Sequence, residues 1–126
     1  MVAVGCLVDL ILDCPDPLAL ADFWAEVLDR SVEQREDGWV SLSSGADGHR
    51  LSFQQVDGYR PPRWPGHVVP QQMHLDILVD ELTTAEARVT ALGATSLSEV
   101  LDPGPKQWRI YADPAGHPFC LVTSTS

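Results

Sequence analysis

Two periods of apolar and polar residues alternate along the chain, and their order repeats. Val4 to Asp13 is a short apolar run rich in β-branched residues, which predicts a strand buried on both faces for much of its length. Cys14-Pro15-Asp16-Pro17 stops it, with Asp16 placed to cap a helix and Pro17 at its first position. Leu18 to Asp29 then predicts that helix. Leu18, Ala21, Ala25 and Leu28 share a stripe, Leu20, Trp24 and Val27 widen it, and Phe23 and Trp24 read as packing residues. From Ser31 the period falls to two. Ser31 to Glu36 predicts a strand, Asp37-Gly38 a hairpin turn, Trp39 to Ser43 a strand, Ser44 to Gly48 a turn and His49 to Val56 another strand. The first half therefore reads β-α-β-β-β.

Asp57 to Pro70 breaks the pattern. Gly58, Pro61, Pro62, Pro65, Gly66 and Pro70 exclude a helix and most ladder pairing, so the stretch reads as a stiff linker. The same order then returns. Gln72 to Val79 predicts a strand, and Thr83 or Thr84 caps a helix that runs to Leu92 with Ala85, Val89 and Leu92 on its inner face. Gly93 stops that helix. Strands follow at Thr95 to Leu101, Lys106 to Tyr111 and Phe119 to Thr123, with a turn at Asp102 to Pro105.

The two halves align. Asp9 matches His74 at an offset of 65 residues, and Gly48 matches Gly116 at an offset of 68. Asp47-Gly48-His49-Arg50-Leu51-Ser52-Phe53 thus echoes the turn and strand of Ala115-Gly116-His117-Pro118-Phe119-Cys120-Leu121. His49 and His117 hold matching turn positions, which points to a local role such as bonding the turn backbone. The expected fold class is α+β: two βαβββ modules in tandem, pairing their sheets around a shared cleft. The organisation is one domain over residues 1–126, with module one at about 4–56, the linker at 57–70 and module two at about 71–123.

Composition narrows the chemistry. The chain has 126 residues, ordinary globular apolar and charged fractions and a formal net charge of −10. That charge argues against nucleic-acid and anionic-membrane partners, which reward basic patches. Cys6, Cys14 and Cys120 lie in apolar surroundings with no CxxC pairing, so buried, reduced thiols in a cytoplasmic protein are expected. No apolar run reaches the ~20 residues a membrane-spanning helix needs. The N-terminus lacks the basic start and cleavage site of a signal peptide. There is no Gly-rich phosphate loop and no Gly-x-Ser-x-Gly.

Four stretches in this order resemble the glyoxalase/bleomycin-resistance proteins of the vicinal oxygen chelate superfamily. They are Leu12-Asp13-Cys14-Pro15-Asp16 before the first helix, His74-Leu75-Asp76-Ile77-Leu78-Val79-Asp80, Leu92-Gly93-Ala94, and Asp113-Pro114-Ala115-Gly116-His117-Pro118-Phe119. The resemblance is nearest to the glyoxalase-like domain branch. It implies two paired modules, a sheet-lined cavity and a homodimer.

The resemblance also implies where a metal would sit: one ligand from the first strand and one from the last strand of each module. Those positions are Asp9, Ser52, His74 and Cys120. The set is poor, because Ser52 is a weak ligand and a thiolate suits soft metals. The expectation is no metal; if a divalent ion binds, Asp9, His74 and Cys120 would hold it. Gln54 shares a face with Ser52 and is a further candidate.

The strand faces opposite the helices predict a ligand-binding lining of Asp9, Arg50, Ser52, Gln54, His74, Asp76 and Cys120, beside Leu7, Ile11 and Leu78. Trp64 and Trp108 join it. Trp64, on the proline-rich segment, reads as a lid, a contact with a partner chain, or a pin for the linker. These residues suit a protein that sequesters a hydrophobic or aromatic metabolite or antibiotic without a metal, as bleomycin-resistance members do. The alternative is a metal-dependent lyase, isomerase or extradiol dioxygenase. A purely structural dimer is a third reading.

Overall fold

The computed structural model describes residues 3–46, 48–64, 68–98 and 106–124. It divides into two units, Met1–Tyr59 and Arg60–Ser126, each taken on its own below. Asp47, the stretch Pro65-Gly66-His67, the end of the strand expected at Thr95 to Leu101 and the turn expected at Asp102 to Pro105 lie outside the described residues.

The first unit contains β1 (Asp9–Cys14), α1 (Pro17–Leu28), β2 (Val32–Glu36), β3 (Trp39–Leu42) and β4 (Arg50–Gln55). Its sheet has the order β1-β4-β3-β2, with β1 parallel to β4 and the other pairs antiparallel. Asp16 caps α1 by accepting from the Ala19 amide, and Pro17 opens it. The hairpin turns at Gly38, whose φ of 76° suits glycine. The helix packs on β3 and β4. Leu20, Phe23, Trp24, Val40, Leu42, Leu51 and Phe53 are all buried there.

The second unit repeats this plan with β5 (Leu75–Leu78), α2 (Leu82–Leu92), β6 (Thr95–Ser96), β7 (Trp108–Ala112) and β8 (Pro118–Val122). The strand order is β5-β8-β7-β6, again with the first and last strands parallel. The fold is thus α+β, two four-stranded sheets and two helices. Both offsets recur in the ladders: Ile11 pairs with Ser52 and Asp76 with Cys120. The turn before the last strand repeats too. Gly48 N–H donates to Gly45 O, and Gly116 N–H donates to Asp113 O.

Several expectations are corrected. β1 begins at Asp9, not Val4; Leu7 and Val8 are exposed, and Ile11 within the strand is 47% exposed. An apolar run looks the same whether or not anything covers it, and the helix reaches only one face of the sheet. Cys6 is likewise exposed, while Cys14 and Cys120 are buried, and none of the three forms a disulfide. The buried face of α1 is rotated toward Phe23 and Trp24, leaving Leu18 at 38% exposure. The two large rings bury more apolar area than Leu18 can, so they set the phase.

α2 starts one residue before the expected Thr83 cap. Glu81 occupies the N-cap without a side-chain bond, and Leu82 is drawn into the core with Val89, while Leu92 stays exposed. Arg109 reinforces this thin contact, its guanidinium paired with Glu86 and bonded to the Ser98 carbonyl. In the turn before β8, Asp113 does the closing: its carboxylate accepts from the Ala115 and His117 amides. The segment after Tyr59 packs on this second unit. A Cβ on Gly116, at φ +88°, would lie 2.5 Å from the Pro61 Cβ.

Candidate functional site

In the first unit, Asp9 and Ser52 stand on neighbouring parallel strands, on the face opposite α1. The Ser52 hydroxyl donates to Asp9 Oδ1 at 2.7 Å. A carboxylate only accepts, so the Ser52 oxygen is left to accept, and Ser41 Oγ donates to it at 2.9 Å. Trp39 Nε1–H in turn donates to Ser41 Oγ at 2.9 Å. The chain Trp39→Ser41→Ser52→Asp9 is therefore directional, and Arg50 Nε approaches the other carboxylate oxygen at 3.7 Å. Ser41 and Ser52 are almost fully buried, so the chain satisfies polar groups that would otherwise be costly. Gln54, two residues further along β4 on the face of Ser52, lines a polar cavity of about 520 Å³ together with Glu36, Asp37, Trp39 and Asp57.

The second unit has a cavity of about 550 Å³ whose walls include Trp64, Leu78, Trp108 and Val122, with His74, Asp76 and Cys120 among its polar groups. Three alternations build it. His74, Asp76 and Leu78 project from β5 and the residue before it. Cys120, Val122 and Ser124 follow from β8, and Lys106 and Trp108 come from β7 and its approach. Trp64 stacks on the His74 ring, with centroids 4.7 Å apart and planes at 28°.

Asp76 is the polar hub. His74 Nε2 lies 3.3 Å from its Oδ1. The Cys120 thiol also bonds to Asp76. Burial, reinforced by the Asp76 charge and that bond, pushes the thiol up to about 12, so it stays protonated at neutral pH. One ligand atom from each of His74, Asp76 and Cys120 lies within 4.8 Å of the others.

Of the residues singled out from sequence, Trp64, His74, Asp76, Trp108 and Cys120 line the second unit's cavity. Asp9, Arg50 and Ser52 meet in the first unit's hydrogen-bonded chain, and Gln54 lines the separate polar cavity. Sequence reasoning missed Ser41, which only the β3–β4 register brings opposite Ser52. It also missed Val122, Ser124 and Lys106, although counting in twos from Cys120 and Trp108 finds all three.

The ligand positions implied by the resemblance split unevenly. Ser52 is fully buried with its proton committed to Asp9, and Asp9 is engaged by Ser52 and Arg50, so this pair does not fit a metal. His74 and Cys120 carry metal-binding atom types and converge with Asp76.

Among solved structures, the fold matches a glyoxalase/bleomycin resistance protein/dioxygenase family enzyme from Burkholderia phytofirmans PsJN. That match has a TM-score of 0.72 at 13% identity, covering 94% of this chain and 98% of the other. It also matches a glyoxalase-related enzyme from Fulvimarina pelagi, with a TM-score of 0.70, 19% identity and coverage of 94% and 88%. A third match is oxidase ChaP-H2, at 0.69 and 20% identity, covering 97% and 95%. No curated protein matches the sequence. No helix among the described residues is long and apolar enough to cross a membrane. The sequence profile of the glyoxalase-like domain matches residues 9–122, nearly the whole of both βαβββ units, and the chain belongs to that family.

Proposed function

We propose that this chain binds a planar aromatic or hydrophobic small molecule, a metabolite or an antibiotic, in the cavity of its second unit, and that recognition there needs no metal. The observation that carries the reading is the aromatic and aliphatic wall of that cavity: Trp64 stacked on His74, with Trp108, Leu78 and Val122 nearby. A volume of about 550 Å³ is within the range of small-molecule sites. Flat rings give large contact area at low entropy cost. Asp76, 58% exposed, offers the site a carboxylate for a cationic or hydrogen-bond-donating group, and Trp64 and Trp108 favour a cation over their faces. A homodimer is part of the same proposal and is read by sedimentation.

A second reading, a metal-dependent lyase, isomerase or extradiol dioxygenase, is supported by the convergence of His74, Asp76 and Cys120. The commitment of Asp9 and Ser52 to one another weighs against the version of it that draws ligands from both modules.

The test is a fluorescence titration with proflavine, a planar aromatic cation, in the presence of EDTA. Saturable binding that Trp64→Ala and Trp108→Ala each weaken roughly tenfold, as loss of about 1–1.5 kcal/mol of ring contact would, supports the proposal. Binding unaffected by both substitutions, or seen only when a divalent metal is restored, overturns it.

A further inference from the structure

We infer that the cavity of the second unit selects an aromatic molecule charged at both ends, with a cationic group at Asp76 and a carboxylate-like group at Lys106. This rests on the ligand recognition proposed above and names the class of molecule recognised.

Strand register orders the cavity wall into rows. Asp76 is the direct partner of Cys120 across the parallel β5–β8 ladder, and Leu78 is the partner of Val122. On the other side of β8, Trp108 is also the partner of Val122. Beyond that pair, Thr123 N–H donates to the Gln107 carbonyl, so the register continues and Lys106 falls opposite Ser124. The first row, Asp76 with Cys120, carries the acid. The middle row, Leu78, Val122 and Trp108, is apolar. The last row, Ser124 with Lys106, carries the base. All three rows line the same cavity.

Acid and base therefore stand at opposite corners of an apolar floor. Four residues of strand rise and two strand spacings put the Asp76 and Lys106 backbones about 16 Å apart. The lysine's flexible stem, leaning over the floor, closes this to about 10 Å between the groups that a ligand meets. That is the length of a molecule with two linked rings, not one.

Charge points the same way. Lys106 is the only lysine of a chain whose formal net charge is −10. Among the described residues it forms no ion pair, whereas Arg50 and Arg109 are each paired with a carboxylate. An ammonium placed beside Trp108 without an acid partner is a local anion site, where a carboxylate gains a charge-assisted hydrogen bond. The field of the whole protein repels anions, so any advantage of a ligand carboxylate arises at this end of the cavity.

The test is a calorimetric titration in EDTA with two probes. One is a biphenyl bearing an aminomethyl group at one para end and a carboxylate at the other, which matches the span. The other is the same aminomethylbiphenyl without the carboxylate. The carboxylate should tighten binding roughly fivefold or more. Lys106→Gln should erase that preference, and Lys106→Arg should retain it. Arg88→Gln, which removes the same charge from an exposed position on α2, should also retain it. Equal binding of the two probes, or a preference that survives Lys106→Gln, overturns the inference. So does a preference lost equally with Arg88→Gln. If neither biphenyl binds while proflavine does, this inference alone falls; if none of the three binds, it falls together with the reading it rests on.

Discussion

Ser52 and Cys120 occupy the same place in two copies of one ladder: Ser52 lies opposite Ile11, and Cys120 lies opposite Asp76. Both are buried and both donate a hydrogen bond to a carboxylate, but the carboxylates differ. Ser52 reaches Asp9, at the start of its neighbouring strand, and Cys120 reaches its direct partner Asp76. One register therefore makes a closed structural chain in the first unit and an open polar hub in the second.

Thiol reactivity should follow from this placement. Cys6 is exposed, Cys14 and Cys120 are buried, and the Cys120 thiol is pushed up to about 12. Because thiolate is the nucleophile, Ellman's reagent should modify one thiol quickly at neutral pH and the other two only on unfolding. Cys6→Ser should remove the fast phase. A fast phase that survives this substitution contradicts the assignment.

The first unit's chain predicts non-additive stability. Ser52→Ala leaves a buried Ser41 hydroxyl without its acceptor and should cost about 1–3 kcal/mol in urea unfolding. Ser41→Ala should cost a similar amount. The double variant should lose clearly less than the sum, since both deletions break one network. Strict additivity would show that the hydroxyls act independently.

At Gly116, two effects combine. Its φ is +88°, and an added Cβ would sit 2.5 Å from that of Pro61. Gly116→Ala should destabilise the protein by roughly 1–2 kcal/mol from backbone strain alone, with the clash added. Pro61→Gly in that background should recover the clash component only. Full recovery would place the whole cost in the contact.

Alkaline pH should find Tyr111. It is fully buried beside Phe119, and burial, with a smaller contribution from Glu86, raises its phenol from 10.0 to about 12. A folded value above the unfolded one means its contribution to stability is complete below pH 10 and is lost as pH rises toward 12. Tyrosinate absorbance should show this ring ionising late, in step with the loss of near-ultraviolet circular dichroism. Ionisation of both tyrosines near 10 with the fold intact would contradict its burial.

Much of this architecture is legible in the residues because alternation and punctuation are local. Asp16-Pro17, Asp37-Gly38, Gly93 and the paired Gly48 and Gly116 corners mark element ends by chemistry that acts within a few residues. The lining of the second cavity was legible for the same reason: His74, Asp76 and Cys120 follow from strand period once the strands are placed. Burial was not legible at Cys6, Leu18 or Leu92, because it depends on which element covers a side chain. Nor was the fate of Asp9, since its partner Ser52 is 43 residues away and is chosen by the β1–β4 register. The Asp76 hub was half visible, as a lining residue but not as the group that ties His74 to Cys120.

Location of the ligand tests the account most directly. A crystal structure of the EDTA-treated protein soaked with proflavine should place the dye in the second unit, in ring contact with Trp64 or Trp108 and with an amino group on Asp76. Dye found instead against Glu36, Asp37 and Asp57 of the first unit would contradict the account, reducing binding to charge attraction.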